Sequence, residues 1–123
     1  MKHYPAFLLA LACFSALPAR ADDANLLPLQ PGVYTEKSMP CENPPDRALL
    51  IYWGKDAGID TAFAKCRLKS VSNEDAIYLL REKCTAYALG TTTYPTQRIR
   101  ILSEKTFETD GKYYRFCTTH LPR

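Results

Sequence analysis

The sequence predicts a mainly β fold: a small antiparallel meander or partly open barrel of about five to seven strands, stapled by two disulfides. Three observations predict it. Short runs that alternate apolar and polar residues are separated by clusters of Gly, Pro, Asn and Asp. Four cysteines follow an export signal. Asp110-Gly111 stands between two aromatic-rich runs, as in a tight hairpin turn.

The first residues have the pattern of a secretory signal peptide. Lys2 provides a basic start, and the apolar run over residues 6–17 is shorter than the roughly 20 residues that span a bilayer. The tripeptide Ala-Arg-Ala before residue 22 has small residues where signal peptidase needs them, which predicts a signal peptide over residues 1–21. A lipoprotein attached through Cys13 is the alternative. We expect a periplasmic or secreted protein without a transmembrane segment.

The charge balance argues against a nucleic-acid partner. Removing Lys2 and Arg20 from the sixteen basic residues leaves fourteen, against thirteen acidic residues. A nearly neutral mature chain lacks the basic excess of a nucleic-acid binder. The nearest approach to a basic cluster is Arg98, Arg100, Lys112 and Arg115, and on alternating strands such a set is more typical of a solvated face.

The mature cysteines predict disulfides rather than a metal site. They are Cys41, Cys66, Cys84 and Cys117, without a C-x-x-C pair and with His120 as the one mature histidine. Of the three possible pairings we prefer Cys66–Cys84 with Cys41–Cys117, which closes one local loop and ties the start of the domain to its last strand. An even set of scattered cysteines fits an oxidising compartment. No metal or other cofactor is predicted.

The first half of the mature chain reads as an extended lead and then strands. Proline-spaced residues 22–31 form the lead, and residues 32–123 form a single domain. Strands are expected at residues 32–36 and 48–53, on either side of a loop that contains three prolines.

Two further strands are expected at residues 63–71 and 76–84, joined by the turn formers Ser-Asn-Glu-Asp. The alternative is a short helix near residues 74–88, which are rich in good helix formers.

The final third predicts strands at residues 97–102, 106–109 and 112–118. A type I′ turn at Asp110-Gly111 would set Glu108 opposite Tyr113 and Phe107 opposite Tyr114. Phe107, Tyr114 and Phe116 would then face the core, whereas Tyr113, Arg115 and Cys117 would face outward.

The sequence offers little catalytic equipment. A Cys117/His120 pair would need a free thiol, and there is no G-x-S-x-G, Walker or Rossmann motif. The carboxylate pairs Asp56/Asp60 and Glu74/Asp75 lie beside loop formers, where solvated turn carboxylates are the better explanation. No catalytic residue is therefore assigned, and an enzyme is the less favoured class.

Binding is the favoured class, because eight tyrosines and one tryptophan provide large, rigid contact surfaces. The candidate binding residues are Tyr113, Arg115, Arg100, Tyr94 and Trp53. We expect a protein-binding module with another envelope or secreted protein as partner, such as an enzyme inhibitor or an immunity factor. The alternative is a cell-wall or carbohydrate-binding accessory domain. The export signal, the length and the two predicted disulfides broadly resemble small exported bacterial β-proteins, which include periplasmic lysozyme inhibitors and immunity proteins against secreted effectors.

Overall fold

A computed structural model describes residues 26–120, so the predicted signal peptide and Cys13 lie outside the described residues. The described residues form nine strands and one short 3-10 turn, Asp46–Ala48. The strands are β1 (Gly32–Glu36), β2 (Leu49–Tyr52), β3 (Ile59–Thr61), β4 (Ala64–Glu74), β5 (Ile77–Ala86), β6 (Thr92–Thr93), β7 (Thr96–Ser103), β8 (Thr106–Thr109) and β9 (Lys112–Thr118).

The strands form one nearly closed antiparallel barrel. Their order is β3-β2-β1-β9-β8-β7-β5-β4, and β6 pairs with β5 beside β7. The two ends of this order meet, because Gly58 N donates to Cys66 O (3.1 Å) and Leu68 N donates to Asp56 O (3.0 Å). Closure of this kind satisfies the backbone groups of strands that would otherwise be sheet edges.

The number of strands is larger than the five to seven predicted. The two additional strands are β3 and β6, which have three and two residues and are too short to show an alternating pattern. β6 and β7 both lie along β5 and are separated at Pro95, which has no N–H to donate to the ladder. Pro95 O still accepts a bond from Glu82 N (3.0 Å).

The helix considered near residues 74–88 does not form, because this segment is occupied mainly by β5. Burial along β5 alternates from one residue to the next over residues 80–85, a period of two that matches a strand and not a helix. The hairpin between β4 and β5 is also tighter than predicted. Its turn is Asp75-Ala76, with Asp75 at a φ of 58°.

The last hairpin has the predicted register. Glu108 pairs with Tyr113, and Phe107 pairs with Tyr114. Asp110 and Gly111 have φ values of 53° and 76°, so both central residues have the positive φ of a type I′ turn. The rings of Phe107 and Tyr114 stack with centroids 5.3 Å apart. This aromatic pair lies in the core, as predicted.

One end of the barrel is covered by the N-terminal segment. Leu27 and Leu29 are buried in the core cluster. The Leu27 amide donates to the hydroxyl of Tyr52 (3.3 Å), and the hydroxyl of Tyr34 donates to the Gln30 carbonyl (2.6 Å). The described part of the lead therefore fills the end at which β2 and β9 terminate, which leaves the other end of the barrel free of this plug.

Both predicted disulfides are present. Cys66–Cys84 joins directly paired residues of β4 and β5, and Cys41–Cys117 ties the loop between β1 and β2 to β9. Two intramolecular disulfides are consistent with an oxidising, extracytoplasmic location. Within residues 26–120, no helix has the length and apolar character needed to cross a bilayer.

Candidate functional site

Two of the predicted binding residues lie close together on the outer face of the barrel. Arg100 pairs with Glu108 across β7 and β8, and Glu108 pairs with Tyr113 across β8 and β9. Arg100 Nη2 lies 3.0 Å from Glu108 Oε1. Tyr113 is exposed. These side chains form one row, with the acidic Glu108 between the arginine and the tyrosine.

Arg115 has partners within the chain. Its Nη2 donates to the carbonyl of Met39 (2.7 Å), and its Nη1 lies 2.9 Å from the sulfur of Cys41. Both contacts are in the loop between β1 and β2. Arg115 therefore holds this loop against β9 beside the Cys41–Cys117 disulfide.

Trp53 and Tyr94 lie apart from that row. Tyr94 is exposed in the connection between β6 and β7. Trp53 follows β2 and turns towards β3 and β4, where its Nε1 donates to Asp60 Oδ2 (2.8 Å) and Lys65 Nζ lies 5.5 Å from the ring centroid. Because β1 separates β2 from β9 in the sheet, Trp53 is not part of the surface that contains Tyr113.

Trp53 belongs to a second exposed surface, here named the aromatic patch, which consists of Trp53, Phe63 and Tyr87. Their exposed fractions are 38%, 60% and 61%. Tyr87 N donates to Phe63 O (3.0 Å), which holds the two loops together. Sequence reasoning missed Phe63 and Tyr87, because it assigned Phe63 to a strand and had no information about which loops would meet.

Asp60 lies beneath the aromatic patch and organises it. This carboxylate is fully buried, and it accepts bonds from Trp53 Nε1 and from the amide of Cys66 (2.7 Å). Burial raises the pKa of Asp60, and its hydrogen bonds oppose that rise. Burial and the charge of Asp60 also raise the pKa of Tyr87.

The outer surface of β4, β5 and β7 is basic. β5 pairs with both β4 and β7, so their outward side chains share one surface. We name this surface the basic face; its exposed cations are Lys65, Arg67, Lys69, Arg81, Lys83, Arg98 and Arg100.

The cations of the basic face are close enough to repel one another. Arg67 and Lys83 are directly opposite, an arrangement that destabilises a sheet. Nearby acids are Asp56, 3.7 Å from Arg67, and Glu108 beside Arg100. Of these cations, only the two β7 arginines, Arg98 and Arg100, belong to the basic cluster that the sequence indicates. The alternating Lys-Cys-Arg-Leu-Lys of β4 was the available signal, but its proximity to β7 depends on the topology.

A cavity of about 820 Å³ lies at the end of the barrel opposite the N-terminal segment. Its walls include the apolar side chains of Leu50, Ile59 and Ile99 and the polar side chains of Glu82 and Gln97. Mouths of β-barrels are frequent sites for small ligands. Sequence reasoning did not predict this cavity, because it depends on how the strands close into a barrel.

Glu82 is the most unusual group in the cavity wall. It is 3% exposed, and its Oε2 accepts a bond from the amide of Ile59 (2.8 Å). Burial raises the pKa of Glu82 to about 7; the charge of Asp60 adds to the rise and the Ile59 bond opposes it. Gly58 makes room for this arrangement, since a Cβ there would lie 2.5 Å from Oε2.

Glu82 also lies beside the inner disulfide. One of its oxygens and the sulfurs of Cys66 and Cys84 lie within 4.8 Å of one another. The two sulfurs are bonded to each other, whereas a metal binds the thiolate form of cysteine. In this oxidised state, the trio offers one carboxylate and no thiolate.

Comparison of the chain with models of known protein families, with curated proteins and with solved structures finds no match. The protein is therefore described by its own fold and surfaces. It is a disulfide-stapled antiparallel β-barrel with an aromatic patch, a basic face and a cavity at one end.

Proposed function

We propose that this protein is an exported protein-binding module that holds an acidic partner protein against its aromatic patch and basic face. The observation that carries the proposal is the contact between the two surfaces: Lys65 of the basic face lies over the ring of Trp53 in the aromatic patch. Tyrosine, tryptophan and arginine dominate the energetics of protein interfaces. Clustered cations attract and orient a partner of opposite charge.

The like charges of the basic face favour a partner of negative charge. Directly opposed Arg67 and Lys83 repel each other in the free protein. Acidic groups of a partner would relieve that repulsion, and this relief would occur only in the complex. It would therefore favour binding. Binding of this kind weakens as salt screens the charges.

The rigid scaffold supports binding by surface contact, as in an inhibitor or an immunity factor. The Phe63 and Tyr87 loops extend from a barrel that is closed by hydrogen bonds and stapled at β4 and β5. A preorganised surface loses little conformational entropy on association. The cell-wall or carbohydrate alternative has less support, since Lys65 occupies one face of the Trp53 ring that would otherwise stack on a sugar.

A photo-crosslinking experiment tests the proposal. A benzophenone amino acid is placed at position 87, or at position 102 as control, because Leu102 is also half-exposed but lies at the opposite end of the barrel. Position 87 should crosslink one acidic envelope or secreted protein, and position 102 should not. The crosslinked protein is identified by mass spectrometry and then purified.

Binding of the purified partner then separates the two surfaces. The double variant Phe63→Ala/Tyr87→Ala should weaken binding of the partner at least tenfold. The double variant Arg67→Glu/Lys83→Glu should also weaken binding, and its loss of affinity should be larger at low salt than at high salt. Leu102→Ala should bind normally. Equal crosslinking at both positions, or retention on purified peptidoglycan without a protein partner, would contradict the proposal.

A further inference from the structure

We infer that the cavity at the open end of the barrel binds a small organic cation, a primary ammonium group on a short apolar body, with the Glu82 carboxylate as its counter-charge. Glu82 and the apolar walls of the cavity face the inside of the barrel, whereas the proposed protein-binding surfaces point outward. Arg98 and Arg100 of the basic face also form part of the outer wall of the cavity.

The size and walls of the cavity suit such a ligand. Small-molecule sites in proteins occupy about 300 to 1,000 Å³, combine apolar walls with a few polar groups and occur in the mouths of β-barrels. This cavity has about 820 Å³, with Leu50, Ile59 and Ile99 as apolar walls. An alkyl chain of several carbons can pack against these side chains.

The carboxylate selects the charge of the ligand. Glu82 is buried, and a carboxylate offers about four acceptor positions, of which the Ile59 amide occupies one. Within residues 26–120 no ion pair involves Glu82, and the charge that acts on it is the like charge of Asp60. A buried charge needs a partner of opposite sign. An ammonium group supplies that charge and three hydrogen-bond donors.

Gly58 indicates that the position of Glu82 is built into the fold. Since any side chain at residue 58 would collide with Oε2, the absence of a Cβ lets the carboxylate approach the Ile59 amide. The carboxylate is thus held in place by its hydrogen bond to the first residue of β3, Ile59. A fixed acceptor lowers the entropic cost of binding a donor.

Other charged groups surround the cavity. They are Asp60 in β3 and, in the outer wall and rim, Arg98, Arg100, Glu108 and Asp110. Arg100 is paired with Glu108. Asp60, like Glu82, becomes negatively charged as the pH rises, so its charge also favours a cation at higher pH. An anionic ligand in the cavity would face the Glu82 carboxylate.

The test uses three probes with the same carbon chain: hexylamine, hexanol and hexanoate. Each is titrated into the oxidised protein at pH 8, and the amide signals of Ile59 and its neighbours are followed by two-dimensional NMR. Hexylamine should shift these signals with saturation and bind at least tenfold more tightly than hexanol, and hexanoate should not bind. Lowering the pH to 5.5 should weaken hexylamine binding about 30-fold, because about 3% of a carboxyl with a pKa of about 7 is then ionised.

The Glu82→Gln variant, checked for an intact fold by its NMR spectrum, should lose at least tenfold in hexylamine affinity. Glu104→Gln, at an exposed acid at the opposite end of the barrel, is the matched control and should retain it. The inference is overturned by equal affinity for hexylamine and hexanol, or by binding that does not change between pH 5.5 and 8. Both of these measurements use the unmodified protein, so they decide the matter even if a variant fails to fold.

Discussion

Replacing Glu82 by Gln should change the stability of the protein in a manner that depends on pH. The pKa of this carboxyl is raised by burial from 4.5 to about 7. Below pH 4.5 the carboxyl is protonated in both the folded and the unfolded chain. Between pH 4.5 and about 7 the unfolded chain loses the proton while the folded chain retains it, so the free energy of unfolding falls as the pH rises.

The size of this effect follows from the two pKa values. Each pH unit between them is worth 1.36 kcal/mol, so the contribution of Glu82 to stability falls by about 3 kcal/mol between pH 4 and pH 8. Gln has nearly the shape of a protonated Glu and cannot ionise. The variant should therefore match the wild type to within about 1 kcal/mol at pH 4 and be about 3 kcal/mol more stable at pH 8.

Urea unfolding of the two oxidised proteins at both pH values measures this difference. For a domain of this size the slope is about 1 to 2 kcal/mol per molar urea, so the midpoint of Glu82→Gln should exceed that of the wild type by about 1.5 to 3 M at pH 8. Comparing the two proteins at each pH largely cancels the titration of Asp60 and of the surface groups. A difference in midpoint that is the same at pH 4 and pH 8 would refute the assignment of Glu82 as a buried, uncompensated acid.

Three further perturbations test the structural roles of individual residues. Replacing both Cys66 and Cys84 by Ser should cost about 3 kcal/mol of unfolding free energy, the loop entropy of an 18-residue separation; a urea midpoint equal to that of the wild type would contradict this. Arg115→Ala should cost about 1 kcal/mol, because the partly buried Met39 carbonyl of the β1–β2 loop loses its donor; a melting temperature equal to that of the wild type would mean that the loop docks without it. Gly58→Ala should lower the free energy of unfolding by about 1 to 3 kcal/mol through overpacking against Glu82. The same substitution should cost much less in a Glu82→Ala background; if the two losses simply add, residues 58 and 82 are not in contact.

The Cys66–Cys84 disulfide and the last hairpin could be predicted because their determinants are local. Asp110-Gly111 fixes the turn, and the turn fixes the register of Phe107 against Tyr114. The cysteine pairing was one of three, and it followed from strands that were already recognisable. The hairpin and the Cys66–Cys84 bond depend on nearby residues in the sequence, and pairing Cys66 with Cys84 leaves Cys41 to pair with Cys117, 76 residues away.

The cavity and the basic face could not be predicted, because they depend on which strands become neighbours. Glu82 stands among good helix formers, and only its alternation with Leu80 and Cys84 indicates that it faces inward. Lys65 and Arg98 are far apart in the sequence and share a surface only because β5 pairs with both of their strands. The N-terminal plug was not apparent for the same reason, since Leu27 has its core partners at distant positions of the chain.

The Cys66–Cys84 disulfide has a role in register as well as in stability. Along β4, outward Lys65 and Arg67 alternate with inward Cys66, so a slip of one residue would carry the cations into the barrel and the apolar side chains into water. The ladder between β4 and β5 contains an irregularity just beyond Leu68, where the pairing shifts by one residue. A covalent bond between directly paired residues prevents that shift on its own side of the irregularity. It thereby sets both the outward direction of the basic face and the inward direction of Glu82, which lies two residues from the bond.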